Sequence, residues 1–354
     1  MTKRPMDAAV TTTQSSTLPA IAMITAYDLL VSNLEKDPPE VGAAEVNALA
    51  TAGDVILEPR DVPLGGPRAM TVRRTLPQRR RSLIGPWCFV DHYGPDPVAT
   101  VGGMSVPPHP HTGLQTVSWL FQGEIEHRDS VGSHAMVRPG ELNLMTAGRG
   151  IQHSEVSTAS TAVLHGAQLW VALPEASRGI APFFEHHVPE AVRFDEATLR
   201  VFLGTLAGVT SNATAFSPIV GAQIDLPAGA SIELPVEAAF EHGLLLDQGS
   251  VAIEGVDLPL SHLSFREVGA TSIRLLAGEA GARLLLIGGA PFGESIVMWW
   301  NFIGRSHDEI VRFRAEWQTD VIARANLEGP FGSIGDGRAL PAPELPAVRL
   351  KPRD

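Results

Sequence analysis

Two histidines separated by a single proline, His109 and His111, are the residues whose types and spacing most directly indicate chemistry. They lie in the stretch SVPPHPHTGLQTVSWLFQG, where prolines precede an apolar run. On a β-strand, side chains two residues apart point to the same face, so the pair would present two imidazoles side by side. Such a pair is half of a metal site; the alternative is a loop that contains two histidines.

A second pair with the same spacing, His153 and Glu155 in GRGIQHSEVS, supplies the ligands that two histidines lack. Three imidazoles and one carboxylate suit iron, manganese, nickel, cobalt, copper or zinc. The segment between the pairs is long enough for several strands, so the pairs can face each other inside one barrel. We therefore predict a site for one divalent metal ion at His109, His111, His153 and Glu155; the alternative is that these side chains lie on an exposed sheet face.

Four further residues are candidates for the surroundings of this centre: Gln115, Trp119, His127 and Met145. Gln115 shares strand parity with His111, which predicts a contact with the metal ligands or a substrate. Trp119 has the same parity and would belong either to the pocket or to the core. For His127 and Asp129, which follow a strand, we predict a structural role or a place beside the ligands rather than ligation. A carboxylate such as that of Asp129 would partner the second ring nitrogen of a metal-bound histidine. Met145 precedes a glycine-rich turn and would line the pocket.

The bulk composition excludes several classes of function. The chain has 354 residues, a formal net charge of -12 and 44% hydrophobic residues. A surface this acidic repels phosphate groups, so we expect no binding of nucleic acid. The single cysteine, Cys88, cannot form an intrachain disulfide, which favours a reducing compartment and a cytoplasmic location. The apolar segment near residue 20 is too short to span a membrane.

The segments that must position these residues are typical of β-structure. From residue 54 onwards, short apolar runs alternate with glycine, proline and aspartate, as in antiparallel all-β folds. A Gln-Gly pair at 122–123 recurs at 248–249, which suggests duplication of one barrel. We predict an N-terminal extension over residues 1–53, a metal-binding barrel over 54–190, a second barrel over 191–295, and a C-terminal segment over 296–354. This last segment would contain one helix, capped by Ser306.

Four longer motifs surround the candidate ligands: GPWCFVDHYGP, PHPHTGLQTVSWLFQGEIEHRDS, PGELNLMTAGRGIQHSE and GAPFGESIVMWWNFIGRSHDEI. Over roughly residues 55–320 the chain resembles the pirin family of the bicupin superfamily. The resemblance implies two antiparallel β-barrels (double-stranded β-helices) packed face to face, with metal in the N-terminal barrel alone. It also implies iron as the metal and His109, His111, His153 and Glu155 as its ligands. Gln115 departs from the family, which often has glutamate there, so we expect altered substrate handling.

The resemblance implies two functions and leaves a third open. As an enzyme, the protein would be a metal-dependent dioxygenase that opens a flavonol such as quercetin, with Glu155 accepting a substrate proton. Alternatively, it would be a non-enzymatic, iron-dependent redox-sensing regulator that binds a protein partner. A metal-binding barrel with another substrate is the third interpretation. Because closed barrels leave few free sheet edges, we expect a monomer.

Overall fold

The computed structural model describes residue 1 and residues 54–64, 70–335 and 338–353. Apart from Met1, the N-terminal extension predicted for residues 1–53 lies outside the described residues. The described chain consists mainly of antiparallel strands, which confirms the all-β prediction. No helix in these ranges is long and apolar enough to cross a membrane.

The elements follow one another along the chain as a long series of short strands with two helices. They are β1 (Asp54–Leu57), β2 (Arg60–Leu64), β3 (Met70–Leu76), β4 (Trp87–Pro97), α1 (Val98–Val101), β5 (Ser105–His111), β6 (Leu114–Gln122), β7 (Ile125–Asp129), β8 (His134–Val137), β9 (Leu142–Thr146), β10 (Ile151–Ser157), β11 (Val163–Ala172), β12 (Phe183–His187), β13 (Val192–Phe194), β14 (Ala197–Leu206), β15 (Val209–Thr210), β16 (Ile219–Leu226), β17 (Ser231–Pro235), β18 (Glu241–Ile253), β19 (Val256–Leu258), β20 (Leu263–Arg266), β21 (Ser272–Gly289), β22 (Val297–Trp299), β23 (Phe302–Gly304) and α2 (His307–Glu316).

Two barrels arise from these strands. The first consists of a seven-stranded sheet, in the order β12-β9-β6-β11-β4-β3-β2, and a four-stranded sheet, in the order β5-β10-β7-β8. The second is a ten-stranded sheet with the main order β1-β20-β18-β21-β16-β14-β13. Strand β1 pairs with β20, from Asp54 opposite Arg266 to Leu57 opposite Leu263. Residues 54–57 therefore belong to the second barrel, whereas we had predicted them in the first.

Alternation of apolar and polar residues explains why strand β17 is half buried. In β17, Ile232 and Leu234 are buried, while Ser231, Glu233 and Pro235 are exposed. Because strand side chains point to opposite faces in turn, this pattern gives the sheet one apolar face. That face can be buried only against another layer, which a barrel supplies.

The C-terminal helix α2 begins where the sequence predicts it. Ser306 has an extended backbone, and its side chain accepts a hydrogen bond from the backbone N–H of Glu309 at 3.2 Å. The Glu309 side chain accepts from the backbone N–H of Arg305 at 2.7 Å and forms an ion pair with Arg178. One turn of π-helix, Trp317–Ile322, continues α2. The predicted N-cap therefore forms, and its glutamate also ties the helix to the first barrel.

The two barrels pack through one continuous apolar cluster to which both contribute. Trp119 of β6 packs on Phe202 of β14, with ring centroids 4.6 Å apart, and its indole N–H donates to Gln223 Oε1 at 2.9 Å. Trp87 of β4 donates to the backbone carbonyls of Val220 and Gly288 at 3.1 Å. These two indoles bury large apolar areas and satisfy their polar atoms across the interface.

A buried polar cluster crosses the same interface, and sequence reasoning missed it. The rings of His92 and His165, on β4 and β11, each place Nε2 2.6 Å from Oδ1 of Asp247 on β18. The Nε atom of Arg283 lies 2.5 Å from the second carboxylate oxygen. Arg73 donates to Nδ1 of His92 at 3.4 Å, so the ring proton of His92 lies on Nε2 and faces Asp247. The His92 nitrogen nearest the carboxylate therefore acts as a hydrogen-bond donor and not as a metal ligand.

Acid should weaken this cluster. Burial lowers the pKa of His92, and the contact with Asp247 only partly offsets that effect. The unfolded chain, in which the histidine pKa is about 6.5, therefore binds more protons than the folded chain. The stability that neutral His92 contributes is present above about pH 6.5 and is lost as the pH falls, at up to about 1.4 kcal/mol per pH unit. In His92→Gln, the free energy of unfolding measured in urea should depend less steeply on pH below about 6.5 than in the wild type.

The matched control for this titration is His134→Gln. Its ring lies on β8 and is half exposed. The slope of this variant separates the loss of a buried histidine at the interface from the loss of an exposed one. Equal slopes for His92→Gln and the wild type would contradict the prediction.

Candidate metal centre

Three of the histidines singled out from the sequence converge inside the first barrel. His109 and His111 lie on β5, and His153 lies on the neighbouring strand β10, directly opposite His109 in the sheet register. All three are buried, and their ligand nitrogens lie within 4.8 Å of one another. The alternation of the two pairs along their strands therefore turns these imidazoles to the same inner face.

The spacing of the imidazoles fits a single ion. The ring centroids are 5.0 Å apart for His109 and His111, 4.4 Å for His109 and His153, and 4.9 Å for His111 and His153. The Nε2 atoms of His111 and His153 face each other at 3.0 Å. Two nitrogens that bind one ion at about 2.1 Å and at a right angle lie about 3 Å apart. The arrangement therefore meets the geometric requirement for a shared cation.

The electrostatic environment keeps these rings uncharged. Burial lowers the pKa of His109 to about 4, and burial together with the neighbouring histidines holds the pKa of His111 and His153 well below the usual value. Nδ1 of His109 donates to the carbonyl of Pro107 at 2.9 Å, which leaves Nε2 for the centre. Neutral imidazoles with inward lone pairs are the form that binds transition metals.

His127 contacts His153 on the side away from the other two histidines. Its Nδ1 lies 3.4 Å from Nδ1 of His153, and its Nε2 lies 3.1 Å from Oδ2 of Asp129. The other oxygen of Asp129 accepts from the backbone N–H groups of Val131 and Ser133 at 3.0 and 2.9 Å. A turn of backbone thus fixes the carboxylate, the carboxylate fixes His127, and His127 contacts the outer nitrogen of His153. Such outer partners set ring orientation at metal centres.

Glu155 is buried beside the histidines but groups differently from the prediction. Its carboxylate lies within 4.8 Å of the ligand nitrogens of His153 and His127, and it forms no equally compact group with all three converging histidines. The register between β10 and β5 shifts between His153 and Glu155, so Glu155 lies opposite Val106 while His153 lies opposite His109. Ser118 donates to its Oε1 at 2.9 Å. Burial raises the pKa of Glu155, while His127 and Ser118 act in the opposite direction.

Two of the predicted neighbours, Gln115 and Trp119, face away from the histidines. Ser118, which contacts Glu155, marks the inner face of β6, and Gln115 has the opposite parity. The Gln115 amide nitrogen donates to Thr146 Oγ1 at 2.9 Å and to the backbone carbonyl of Thr214 at 3.1 Å, towards the second barrel. Strand β5 ends at His111, and a turn separates it from β6. The prediction counted alternate residues across this turn, where side chains no longer alternate between the same two faces. The glutamine therefore does not stand in for a carboxylate ligand.

Met145 belongs to a buried cluster with aromatic residues that no spacing pattern revealed. The edge of Trp170 meets His111, with centroids 5.1 Å apart, and Trp170 stacks on Phe89 at 4.0 Å. Met145 belongs to the same buried apolar cluster, against which Phe184 packs. The Phe184 ring stacks on His127 at 4.7 Å. An apolar wall beside converging metal ligands is typical of a small-molecule site.

Comparisons with known proteins agree on one family. The Pirin family model matches residues 69–171, and the model of the Pirin C-terminal cupin domain matches residues 221–322. A Pseudomonas aeruginosa protein named Putative quercetin 2,3-dioxygenase is 41% identical over 291 residues, which cover 81% of this chain and 89% of the relative. A Pirin-like protein of Caulobacter vibrioides is 33% identical over 302 residues, covering 82% and 99%. The crystal structure of quercetin 2,3-dioxygenase from Acinetobacter baumannii superimposes with a TM-score of 0.77 at 35% identity, covering 84% of this chain and 98% of that one.

Proposed function

This chain belongs to the pirin family, and on that premise we propose that its first barrel binds one divalent metal ion, iron foremost, and dioxygenates a flavonol such as quercetin. The observation that carries the proposal is the convergence of three buried, neutral imidazoles, two of which present Nε2 atoms 3.0 Å apart. We assign His109, His111, His153 and Glu155 as the ligands. When bound, the ion would supply Lewis acidity towards a substrate hydroxyl and redox chemistry with dioxygen.

The residues around the centre have separable tasks in this proposal. Ser118 holds one oxygen of the Glu155 carboxylate. The other oxygen is assigned to the metal or to the proton of the substrate's 3-hydroxyl group. Proton transfer by a positioned carboxylate contributes typically 10²–10⁴-fold to rate. Trp170, Phe89 and Met145 form the apolar wall that would hold the substrate rings and exclude water.

The test is an aerobic assay with metal-loaded protein. Iron-loaded protein should consume quercetin and dioxygen in equal amounts and release carbon monoxide, measured by absorbance, oxygen electrode and gas analysis. Glu155→Gln should lower kcat about 100-fold, because it removes the carboxylate that takes the proton. The control is Glu126→Gln, which changes a more exposed carboxylate on β7 and should turn over like the wild type.

Equal background rates for metal-loaded and chelator-treated wild type would refute the enzymatic proposal. The alternative implied by the resemblance, an iron-dependent redox-sensing regulator that binds a protein, stays a prediction. So do the cytoplasmic location and the monomeric state.

A further inference from the structure

A row of polar side chains crosses the inner face of the seven-stranded sheet, opposite the histidine-bearing sheet. Each member lies directly across from the next in the sheet register, from β3 at one side to β12 at the other. Cross-strand neighbours have Cβ atoms about 5 Å apart, so the row is continuous. Its members are Arg74, Asp91, Gln168, Ser118, Asn143 and His186.

Most of this row is internally satisfied. Arg74 donates two hydrogen bonds to Asp91, both at 2.7 Å. Ser118 lies 2.9 Å from Gln168 Oε1 and from Glu155 Oε1. The row therefore reaches the proposed metal centre at Ser118, through its bond to the Glu155 carboxylate.

Asn143 is the exception. Its Oδ1 lies 2.6 Å from Nδ1 of His186, and Nε2 of His186 lies 3.6 Å from Glu141. Its Nδ2 is buried and has no hydrogen-bond partner among the described residues. Asn143 is only 3% exposed. With Nδ1 of His186 as the donor, the amide oxygen is occupied and Nδ2 is the atom left for another acceptor. A buried donor without an acceptor destabilises the protein.

We propose that Nδ2 of Asn143 is a substrate-binding donor for an acceptor oxygen, a carbonyl or a phenolate, of an oxygenated aromatic ligand. The inference rests on the proposed function, since Asn143 is the cross-strand neighbour of the serine that holds Glu155. A ligand with one oxygen at the metal and a second oxygen towards β9 would bind the ion and accept a hydrogen bond from Nδ2 of Asn143. His186 is the positioning residue, because it sets the orientation of the amide.

The chain offers a matched control in Gln115. It is also a buried amide on the same sheet, and its Oε1 also lacks a partner among the described residues. However, it lies on the opposite face, against the second barrel, where its nitrogen already has two acceptors. A ligand in the first barrel should not sense this residue.

The experiment measures anaerobic binding of quercetin to iron-loaded protein by its absorbance shift, together with the melting temperature of ligand-free protein. Asn143→Leu and Asn143→Asp should each weaken binding about tenfold, because neither retains the donor. Asn143→Leu and His186→Leu lose the same hydrogen bond between the two side chains. The melting temperature of Asn143→Leu should equal or exceed that of His186→Leu, because Asn143→Leu also removes the unpartnered donor. Gln115→Met should bind within about twofold of the wild type.

Two results would overturn the inference. One is unchanged binding by both Asn143 variants, and the other is a lower melting temperature for Asn143→Leu than for His186→Leu, which would assign the amide a structural role. If iron-loaded wild type binds no quercetin, the flavonol proposal fails instead. The melting temperatures then still test the role of Asn143, because a buried donor that is kept for any ligand destabilises the ligand-free protein.

Discussion

The His153→Ala protein should bind iron at least about 100-fold more weakly than the wild type and should show no quercetin turnover above background. His153 occupies the central position of the centre. Its Nε2 faces His111, its Nδ1 faces His127, and it is the histidine shared by the two compact groups of ligand atoms. Removing it leaves two imidazoles on β5 and the Glu155 carboxylate, which forms no compact group with those two imidazoles. A set of ligands that do not converge should bind the ion far more weakly. Metal content after dialysis and competition with a chromophoric chelator would measure the loss.

His134→Ala is the control for this experiment, because it removes a half-exposed imidazole from β8 of the same sheet. It should retain one ion per chain. A second comparison separates ligation from packing: His153→Ala should keep the cooperative unfolding of the metal-free wild type. If His153→Ala binds iron as tightly as the wild type, the assigned ligand set is wrong.

The second large effect concerns stability. Arg74→Met should lower the free energy of unfolding by about 3–5 kcal/mol, because it leaves the Asp91 carboxylate buried without its partner. Arg74 is 1% exposed, and it packs over Phe89 at 4.3 Å while it binds both oxygens of Asp91. Equilibrium unfolding in urea, followed by fluorescence and circular dichroism, would measure the change.

Arg200 and Asp225 provide the matched ion pair for comparison. They pair at 2.9 Å on the second barrel, with about a third of each side chain exposed. Solvent screens that pair, so Arg200→Met should cost less than about 1 kcal/mol. The double variant Arg74→Met/Asp91→Leu should recover part of the loss, since it removes the uncompensated charge. Equal costs for Arg74→Met and Arg200→Met would contradict the prediction.

Local patterns in the sequence determined those features that depend on one strand or one turn of helix. The two pairs with i, i+2 spacing placed His109 beside His111 because alternation is a property of the strand itself. Ser306 caps α2 because capping needs only the first turn of the helix. The density of short apolar runs between glycines and prolines identified an all-β chain, and extended motifs identified the family.

Parity failed where a turn intervenes. Gln115 and Trp119 have the spacing of an inner face when counted from His111, yet they face the second barrel. The count is valid only within one strand, and β5 ends before β6 begins. A turn changes the face to which the following side chains point, and the number of residues in the turn does not determine that change.

Tertiary structure alone decided the contacts between distant segments. Strand β1 joins the second barrel through pairing with β20, and Asp247 meets His92 and His165 from the opposite barrel. Trp170 and Asn143 line the first barrel because of the sheet register. No local pattern encodes these neighbours, since strand pairing and barrel packing bring together residues far apart in the chain. The sequence therefore determined which side chains could bind a metal, and the packing of sheets and barrels decided what surrounds them.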